Sequence, residues 1–538
     1  MDCKKTIIDQ PNSFIDRYTN HSEEILNFYE YKPGSQSDFE QRVRTEANGR
    51  ESELADVIES YMSDLDLTET QRNHLEQIRG GHKVVIGGQQ AGLFTGPLYT
   101  FHKMVSIIVL AKEQSEKLNT PIVPVFWIAG EDHDFDEVNH TYVYDRISRQ
   151  LNKVKYSTME PPEKSVSEYS FDKDLIINAL NELFSHIGET SHSKDVRQMV
   201  NKAIETSESW SDIFKHITHD VFKDQGLLLI DASYSKLRKL EVPMFKKMIE
   251  HRAQVDESFR KTQEDFSKVI NTRMILTDSN VHLFYDYNEK RQLLMFEDNE
   301  FYLSKDTDVR FTKDELLSLV ETNPERFSNN VVTRPVMEEY LFNTLSFVGG
   351  PSEIIYWGEL KAVFNTLNIE MPIVMPRMRI SYLTQESKKC LEKYNIDLDH
   401  VLVHGVTQDK ERFIREKASD DVLREIEVMK DAQKSFHQRL IEEIGDGYQN
   451  RKLIEKNNQI HQHQYQYLID RYLLNVEREN EISMRHFEIV EHTLHPHHGL
   501  QERVWNPVQL LNQFGMSMFT PSTYPPLSYT FEHITIEL

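Results

Sequence analysis

The sequence predicts an α/β core with a buried parallel sheet, followed by a long helical hairpin. Two segments, 83–103 and 121–140, each combine an apolar run with a polar loop. A helical apolar pattern joins them, and a strand–helix–strand unit of this kind is typical of parallel sheets. Beyond about residue 385, apolar residues recur at helical spacing in a strongly charged background. This change of pattern predicts a separate helical domain.

The first predicted strand is the short apolar run at 83–86. Gly87 and Gly88 interrupt this run, and a polar loop follows them. Pro97 is suited to the first position of a helix, and the helical pattern then continues to a stop signal at 119–121.

The second predicted strand, Ile122–Ile128, is too apolar for a half-exposed strand, so we expect it inside the sheet. Gly130 ends it, and five carboxylates follow within seven residues: Glu131, Asp132, Asp134, Asp136 and Glu137. Open α/β sheets bind ligands where their strands end in loops. Both loops are predicted at that edge, which is the candidate site.

Later segments return to the core pattern at 226–230, 331–364 and 372–375. The intervening segments 146–215 and 256–330 lack it, and we predict that they are insertions. The core domain is therefore expected to span 1–384.

Residues 385–495 are predicted to form the helical domain. Its two long helices are separated by the glycine-rich turn at 445–447, and their sparse apolar stripe favours a narrow coiled-coil seam. Residues 496–538 are too apolar for a free end, so we expect them to pack on the core or on the hairpin base.

Composition excludes several classes of protein. The 538 residues are 38% hydrophobic and 28% charged, as in a soluble globular protein. A net charge of −25 disfavours a nucleic-acid binder. Cys3 and Cys390 form no disulfide framework. We see neither a signal peptide nor an apolar run of the ~20 residues that span a bilayer, so we expect a cytoplasmic protein without a membrane partner.

The glycine-rich loop GGQQAG at 87–92 fits neither GxGxxG nor GxxxxGK[ST], which disfavours a standard dinucleotide site or P-loop. Its backbone N–H groups and Thr95 lie at a predicted helix start, where an anion is favoured. A plain turn between strand and helix is the alternative.

The segment from Thr95 to His102 resembles the HIGH-type signature TGxLHxGH of class I aminoacyl-tRNA synthetases. Tyr99 and Phe101 replace its first histidine and second glycine, and His102 matches its last histidine. Residues 377–381, RMRIS, are a weaker counterpart of the KMSKS loop. A structural histidine on an amphipathic helix is the alternative for His102.

The acidic loop allows several interpretations. It lacks the glycine and the terminal glutamate of a calcium loop. A zinc site would use His133 and His140 with Asp132 or Asp134, although no HExxH is present. A polar pocket would hold an ammonium group, sugar hydroxyls or magnesium, with His133 as a base. A solvated loop is the remaining alternative.

Arginines at the ends of the later core elements, such as Arg334, Arg377 and Arg379, are suited to carboxylates or phosphates. Structural ion pairs are the alternative. The histidines in HPHHG at 495–499 resemble a metal tract, but a loop is the simpler interpretation.

Five motifs together resemble the cysteine ligase family of bacillithiol biosynthesis, BshC. They are GGQQAGLFTGPLYTFHK, PVFWIAGEDHDFDEVNH, FVGGPSEIIYWGEL, MPIVMPR and GLQERVWNP. The resemblance implies a Rossmann-like core with inserted connecting segments and a coiled-coil domain that forms a homodimer. It also implies the last step of the pathway, in which cysteine is joined to glucosaminyl-malate.

An amide bond requires an activated carboxyl, so the implied reaction is expected to use ATP or ADP with magnesium. We expect no zinc. In this hypothesis the catalytic residues are His102, Asp132, His133 and Asp134. Substrate or nucleotide would contact Gly87, Gln89, Gln90, Gly92, Thr95, Gly96, Tyr99, Lys103, Glu131, Asn139, His140, Arg334, Glu353, Trp357, Arg377, Arg379, Gln501, Arg503 and Asn506. Two alternatives stay open, a metal-dependent hydrolase and a non-catalytic nucleotide-binding scaffold.

Overall fold

The fold was obtained as a computed structural model that describes residues 2–159, 161–445, 447–521 and 523–538. Its strands are β1 (Cys3–Thr6), β2 (Lys83–Gln89), β3 (Ile122–Ile128), β4 (His140–Asp145), β5 (Gln150–Lys155), β6 (Leu228–Asp231), β7 (Leu283–Tyr287), β8 (Lys290–Glu297), β9 (Glu300–Leu303), β10 (Arg310–Phe311), β11 (Phe327–Asn329), β12 (Thr344–Gly349), β13 (Ile373–Pro376), β14 (Arg379–Leu383) and β15 (His533–Glu537).

The α-helices of the described residues follow in the same chain order. They are α1 (Phe14–Thr19), α2 (Glu23–Leu26), α3 (Gln36–Arg42), α4 (Glu51–Tyr61), α5 (Glu69–Arg79), α6 (Tyr99–Leu118), α7 (Phe135–Val138), α8 (Lys173–Ile187), α9 (Ser193–Thr206), α10 (Trp210–Phe222), α11 (Ser235–Glu250), α12 (Arg252–Ile270), α13 (Lys313–Thr322), α14 (Arg334–Leu341), α15 (Pro351–Trp357), α16 (Lys361–Thr366), α17 (Gln385–Tyr394), α18 (Leu398–His404), α19 (Thr407–Lys417), α20 (Asp420–Ile444), α21 (Tyr448–Glu479), α22 (Glu481–Leu494) and α23 (Pro507–Phe514).

The chain divides into two compact units. The first comprises Met1–Tyr382 and Gln501–Leu538, and the second comprises Leu383–Leu500. The sequence predicts domain boundaries after residues 384 and 495, and the two units meet in the chain after Tyr382 and after Leu500. Within the described residues, no helix is both long and apolar enough to cross a membrane.

A five-stranded parallel sheet forms the centre of the first unit, in the order β6-β3-β2-β12-β13. Counted along the chain, these strands are ordered 3-2-1-4-5, which is the Rossmann arrangement. The order reverses between β2 and β12, and this reversal is the switch point where such sheets bind ligands. The predicted α/β fold with a Rossmann-like parallel core is confirmed.

The strands of this sheet form where the sequence is continuously apolar. All seven residues of β3 are buried, as expected of a strand covered on both faces. Pro124 has no N–H group to donate, and it lies one residue before Val125, the first residue of β3 that pairs with β6.

Strand β2 extends beyond the predicted 83–86, through two glycines to Gln89. A Cβ on Gly87 would lie 2.5 Å from the Val348 carbonyl oxygen, and one on Gly88 would lie 2.7 Å from the Trp127 carbonyl oxygen. Glycine is therefore required at both positions because the neighbouring strands approach too closely for a side chain.

Two insertions interrupt the parallel sheet. The β4–β5 hairpin and helices α8 to α10 lie between β3 and β6. Between β6 and β12, helices precede and follow an antiparallel sheet in the order β10-β9-β8-β7-β11. The turn between β7 and β8 has Asn288 and Glu289 at φ 51° and 59°, as in the primed turns that suit two-residue hairpins.

The two ends of the chain meet in a small sheet of order β1-β15-β14. Cys3 is paired with Ile536, and Thr6 is paired with His533. The sequence patterns do not predict this sheet, because its strands come from opposite ends of the chain.

The second unit is helical. Helices α20 and α21 pack against each other. His437 contacts Asn457 at 2.8 Å, and Gln462 donates to the Lys430 carbonyl at 3.0 Å, which shows that the two helices run antiparallel. This pair is the predicted helical coiled-coil hairpin, and Asp446 of its predicted turn lies outside the described residues.

Candidate functional site

A cavity of about 580 Å³ opens at the carboxyl edge of the parallel sheet. Its walls include the residues that follow β2, β3, β12 and β13, so it lies at the switch point of the sheet. Its lining comprises Gly88, Gln89, Gln90, Tyr99, Lys103, Ala129, Glu131, Asp132, His133, Leu276, Thr277, Phe284, Arg291, Leu293, Asn329, Asn330, Val331, Arg334, Gly350, Pro351, Ser352, Glu353, Arg377 and Arg503.

A buried lysine joins two of these strand ends. Lys103, one turn into α6, donates to the Gly88 carbonyl at 2.6 Å and to Glu353 Oε2 at 2.5 Å. The same oxygen of Glu353 accepts the Gly350 N–H at 2.7 Å. Burial lowers the pKa of Lys103. Burial alone would raise the pKa of Glu353, but Lys103 and Arg334 hold it below its ordinary value.

Arg377 follows β13 and is held by a buried carboxylate. Its NH2 atom lies 2.8 Å from Glu502 Oε1. The other oxygen of Glu502 lies 2.8 Å from His102 Nδ1. Burial alone would raise the pKa of Glu502, but Arg377 and His102 hold it well below its usual range. Arg377 therefore reaches the cavity as a charged guanidinium that is ion-paired with Glu502.

Arg334 enters the cavity from the start of α14. Its NH2 atom donates to the Tyr356 hydroxyl at 2.5 Å, and its NH1 atom lies 3.9 Å from Glu338. Burial raises the pKa of Glu338 to about 8. With Glu338 protonated, the charge of Arg334 is opposed by the ionised Glu353 rather than by Glu338, and the guanidinium is suited to an anion.

Two carboxylates of the acidic loop after β3 are held by hydrogen bonds. Glu131 accepts from Arg238 at 2.5 Å. Asp132 accepts from Gln90 Nε2 at 2.5 Å and from the His133 N–H at 2.7 Å. Burial alone would raise the pKa of Asp132, but Arg291 and these hydrogen bonds lower it. Burial, with Arg291, lowers the pKa of His133, so its ring is neutral near pH 7.

The inserted antiparallel sheet contributes residues that sequence reasoning missed. Arg291 lies over the Phe284 ring at 3.8 Å and donates to Ser328 Oγ at 2.9 Å and to the Asn329 carbonyl at 2.8 Å. The buried Oδ1 of Asn329 has no hydrogen-bond partner. The strand pattern at β8 was visible in the sequence, but nothing in it showed that this strand faces the edge of another sheet.

The structure brings eleven of the predicted site residues to the cavity. They are Gln89, Gln90, Tyr99, Lys103, Glu131, Asp132, His133, Arg334, Glu353, Arg377 and Arg503. Twelve others do not line it: Gly87, Gly92, Thr95, Gly96, His102, Asp134, Asn139, His140, Trp357, Arg379, Gln501 and Asn506. Their assigned functional roles stay predictions.

His102 is fully buried, with Nε2 3.0 Å from the Tyr382 hydroxyl and Nδ1 on Glu502. Burial lowers its pKa. The ring therefore faces away from the cavity, although it follows the HIGH-like segment. These contacts support the alternative of a structural histidine that positions Glu502 and, through it, Arg377.

The turn at 92–96, which follows the glycine-rich loop, is held by hydrogen bonds between its own backbone groups. Thr95 donates its N–H to the Gly92 carbonyl, and Gly96 donates to Leu93. Asn506 Nδ2 donates to the carbonyls of Phe94 and Gly96 at 3.1 and 3.2 Å. The N–H group of Thr95, which was expected at an anion-binding helix start, thus donates within this turn instead. Asn506 stabilises the turn by donating to its carbonyl groups.

Other predicted ligands are held in the surrounding structure. Arg379 pairs with Asp9 at 2.6 Å. Trp357 stacks on Phe347 with ring centroids 4.4 Å apart. Gln501 accepts the Tyr382 N–H at 2.8 Å.

The acidic loop offers no metal-ligand cluster. Across the described residues, the group of histidines and carboxylates close enough to share an ion is Glu491, His495 and His498, in the second unit. His133 Nδ1 lies 3.8 Å from Asp132, but within the described residues no third ligand joins this pair as a zinc site requires.

Cationic side chains outnumber carboxylates in the lining of the cavity, although the chain as a whole is acidic. Among the described residues, five cationic side chains line it, those of Lys103, Arg291, Arg334, Arg377 and Arg503, against the carboxylates of Glu131, Asp132 and Glu353. The whole chain has a net charge of −25. The fold and cavity thus define a Rossmann-like protein with a cationic ligand site at the switch point of its sheet.

Two family models together match nearly the whole chain. Residues 1–378 match the model described as bacillithiol biosynthesis BshC, N-terminal Rossmann-like domain, and residues 380–538 match the C-terminal coiled-coil domain of the same family. The chain belongs to the BshC family of bacillithiol biosynthesis.

Its relatives carry the same family name over their whole length. Proteins of Staphylococcus epidermidis and Staphylococcus aureus (strain MRSA252), each named "Putative cysteine ligase BshC", are 52% and 50% identical to it, with 100% of each chain covered. A crystal structure described as a "putative arginyl t-RNA synthetase" from Campylobacter jejuni covers 85% of this chain and 98% of its own, at 10% identity and a TM-score of 0.23. A score this low supports no inference.

Proposed function

We propose that this protein is a ligase that joins the carboxyl group of cysteine to the amine of glucosaminyl-malate, forming an amide in the last step of bacillithiol synthesis. Family membership supports the pathway, and the names of the relatives support a cysteine ligase. The observation that carries the proposal is the cationic cavity at the switch point of an otherwise acidic protein. Malate carboxylates and phosphates are the groups that such a cavity favours.

The chemistry requires an activated cysteine carboxyl. In our proposal a nucleoside triphosphate, ATP with magnesium, is the co-substrate: the cysteine carboxylate attacks its α-phosphorus and releases pyrophosphate to give an adenylate, or attacks its γ-phosphorus and releases ADP to give an acyl phosphate. The amine then attacks the carbonyl carbon, the carbon–oxygen bond to phosphate breaks, and the amine loses a proton. Lys103, Arg377 and Arg503 are placed to neutralise phosphate charge in this scheme.

The substrates divide between two sides of the cavity. We assign the malate carboxylates to Arg334 and Arg291, because guanidinium groups form paired hydrogen bonds with carboxylates. The cysteine ammonium is assigned to Asp132, whose lowered pKa keeps it ionised at neutral pH.

His133 is the proposed base that accepts the proton of the amine. Its lowered pKa keeps the imidazole neutral at pH 7, as a general base requires. His133 lines the cavity, whereas the carboxylate of Asp134 is exposed outside it. We therefore prefer His133 to Asp134 for this role.

We also propose that the coiled-coil unit forms a homodimer. Val422, Met429 and Phe436 are exposed and seven residues apart on α20, and Leu453, Ile460 and Tyr467 repeat this spacing on α21. Apolar stripes with a period of seven are typical of helices that pack against further helices. A second copy of this chain supplies matching stripes.

The test is a ligation assay with purified, tag-free protein, cysteine, glucosaminyl-malate, ATP and magnesium. We expect bacillithiol by mass spectrometry and one nucleotide cleaved per product. Lys103→Met should abolish both signals, whereas Lys83→Met should retain them, because Lys83 is also buried but lies at the opposite end of β2. If the wild-type protein neither cleaves nucleotide nor forms product, the ligase proposal is wrong.

A further inference from the structure

The last turn of α22 and the loop after it bring together Glu491, His495 and His498. The Nδ1 atoms of His495 and His498 each lie 3.7 Å from Glu491 Oε1, and the three ligand atoms all lie within 4.8 Å of one another. A separation of 3.7 Å is too long for a hydrogen bond. Two ligands of one tetrahedral zinc ion, each about 2 Å from the metal, lie roughly 3.3 Å apart.

His495 provides an independent indication of a ligand. Its side chain is buried, at 7% exposure, yet its Nδ1 atom has no hydrogen-bond partner. A buried polar atom without a partner is costly. The same atom is the one directed at Glu491, so a cation between the two would satisfy it.

The surroundings fix the positions of the ligands. Gly405, at φ +68°, approaches the cluster so closely that a Cβ there would lie 2.9 Å from both His495 Nδ1 and Glu491 Oε2. Glu491 Oε2 accepts the Val406 N–H at 3.1 Å, which leaves Oε1 directed at the histidines. A backbone donor of this kind is how proteins orient metal-binding carboxylates.

We propose that Glu491, His495 and His498 bind a zinc ion in the coiled-coil unit. Two imidazoles and one carboxylate suit Zn²⁺, whereas Mg²⁺ and Ca²⁺ prefer oxygen ligands alone. The fourth position remains for water, since His498 is 88% exposed. The ion would fasten the loop that carries His498 to the end of α22. The sequence alone favoured a plain loop here.

The experiment uses full-length, tag-free protein, stripped with a chelator and dialysed against zinc chloride. Metal analysis should find about one zinc ion per chain, and zinc should raise the melting temperature. Replacement of zinc by Co²⁺ should give the visible absorption of a tetrahedral site.

Three variants assign the ligands. His498→Ala should weaken zinc binding at least about tenfold without affecting folding, because the side chain is exposed. Gly405→Ala should weaken it as well, because the added methyl group would displace His495 and Glu491. His497→Ala, in the same loop but outside the cluster, should bind zinc like the wild type. Absence of zinc from the wild-type protein, or equal binding by His498→Ala and His497→Ala, would overturn the proposal.

Discussion

The buried carboxylate of Glu502 allows the sharpest prediction about stability. It lies 2.8 Å from both Arg377 and His102, and it is 1% exposed. Replacement by glutamine keeps the shape of the side chain but removes its charge, which leaves Arg377 buried without a counter-ion. Removing one partner of a buried ion pair costs about 3–5 kcal/mol. One hydrogen bond that the amide oxygen can still accept returns about 1 kcal/mol, so Glu502→Gln should lose about 2–4 kcal/mol.

Urea unfolding followed by tryptophan fluorescence measures this loss. All four tryptophans, Trp127, Trp210, Trp357 and Trp505, belong to the first unit, so the signal reports that unit alone. Glu24→Gln is the control, because Glu24 pairs with Arg17 at the same 2.8 Å but is 75% exposed. Exposed pairs contribute only about 0.2–1 kcal/mol. A loss below about 1 kcal/mol for Glu502→Gln would refute the reasoning.

The same prediction has a pH dependence with a definite sign. The pKa of Glu502 is lowered in the folded protein relative to the ordinary 4.5. Its stabilising contribution is therefore fully present above pH 4.5 and is lost as the pH falls towards the folded value. The difference in stability between the wild type and Glu502→Gln should be constant near neutral pH and should shrink below about pH 4.5. A difference that grows with acidity would contradict the assignment.

Three further outcomes are expected. Lys103→Met should lower the ligation rate by at least about 100-fold while the protein stays folded, because it removes a cationic side chain of the cavity that neutralises phosphate charge in the proposed reaction; Lys103→Arg should not rescue it. Because burial lowers the pKa of His133, the acid limb of kcat/KM should lie below pH 6.5 and should disappear in His133→Gln. Phe436→Glu should shift the proposed homodimer towards monomer in sedimentation equilibrium, whereas Ser435→Glu, exposed one residue away, should not; a dimer unaffected by Phe436→Glu would exclude this face.

The sheet core could be predicted because its signals are local. The run at β3 is apolar at every residue except for Pro124, and the carboxylates that follow it mark the strand end. Strands β1 and β15 could not be predicted in the same way. They pair across nearly the whole chain. The sequence of β15, HITIE, alternates polar and apolar residues, but that of β1, CKKT, does not, and no local signal marks the two as partners.

The structure has a cavity at the sheet edge where the sequence predicts the candidate site, but neighbouring residues of the predicted site differ in whether they line it. His102 and Lys103 are adjacent on α6, and consecutive helical residues point about 100° apart. Lys103 shares the face of Tyr99, four residues earlier, and both line the cavity. The helical face of His102 is directed at Glu502 instead. Sequence spacing does not reveal which face of a buried helix meets the ligand.

Arg291 is a cavity residue that the sequence could not predict. Its contribution depends on how an inserted antiparallel sheet folds over the edge of the parallel one, which is a property of tertiary structure alone. No local pattern marks it, whereas Arg334 and Arg377 were visible because they accompany core elements.

The most direct test of the central claim is mass spectrometry of thiols in cells whose only copy of this protein carries Lys103→Met, with Lys83→Met as the matched control. Glucosaminyl-malate should accumulate and bacillithiol should vanish with Lys103→Met, whereas the control should resemble the wild type. Normal bacillithiol in cells that contain folded Lys103→Met protein would contradict the claim that this cavity performs the ligation.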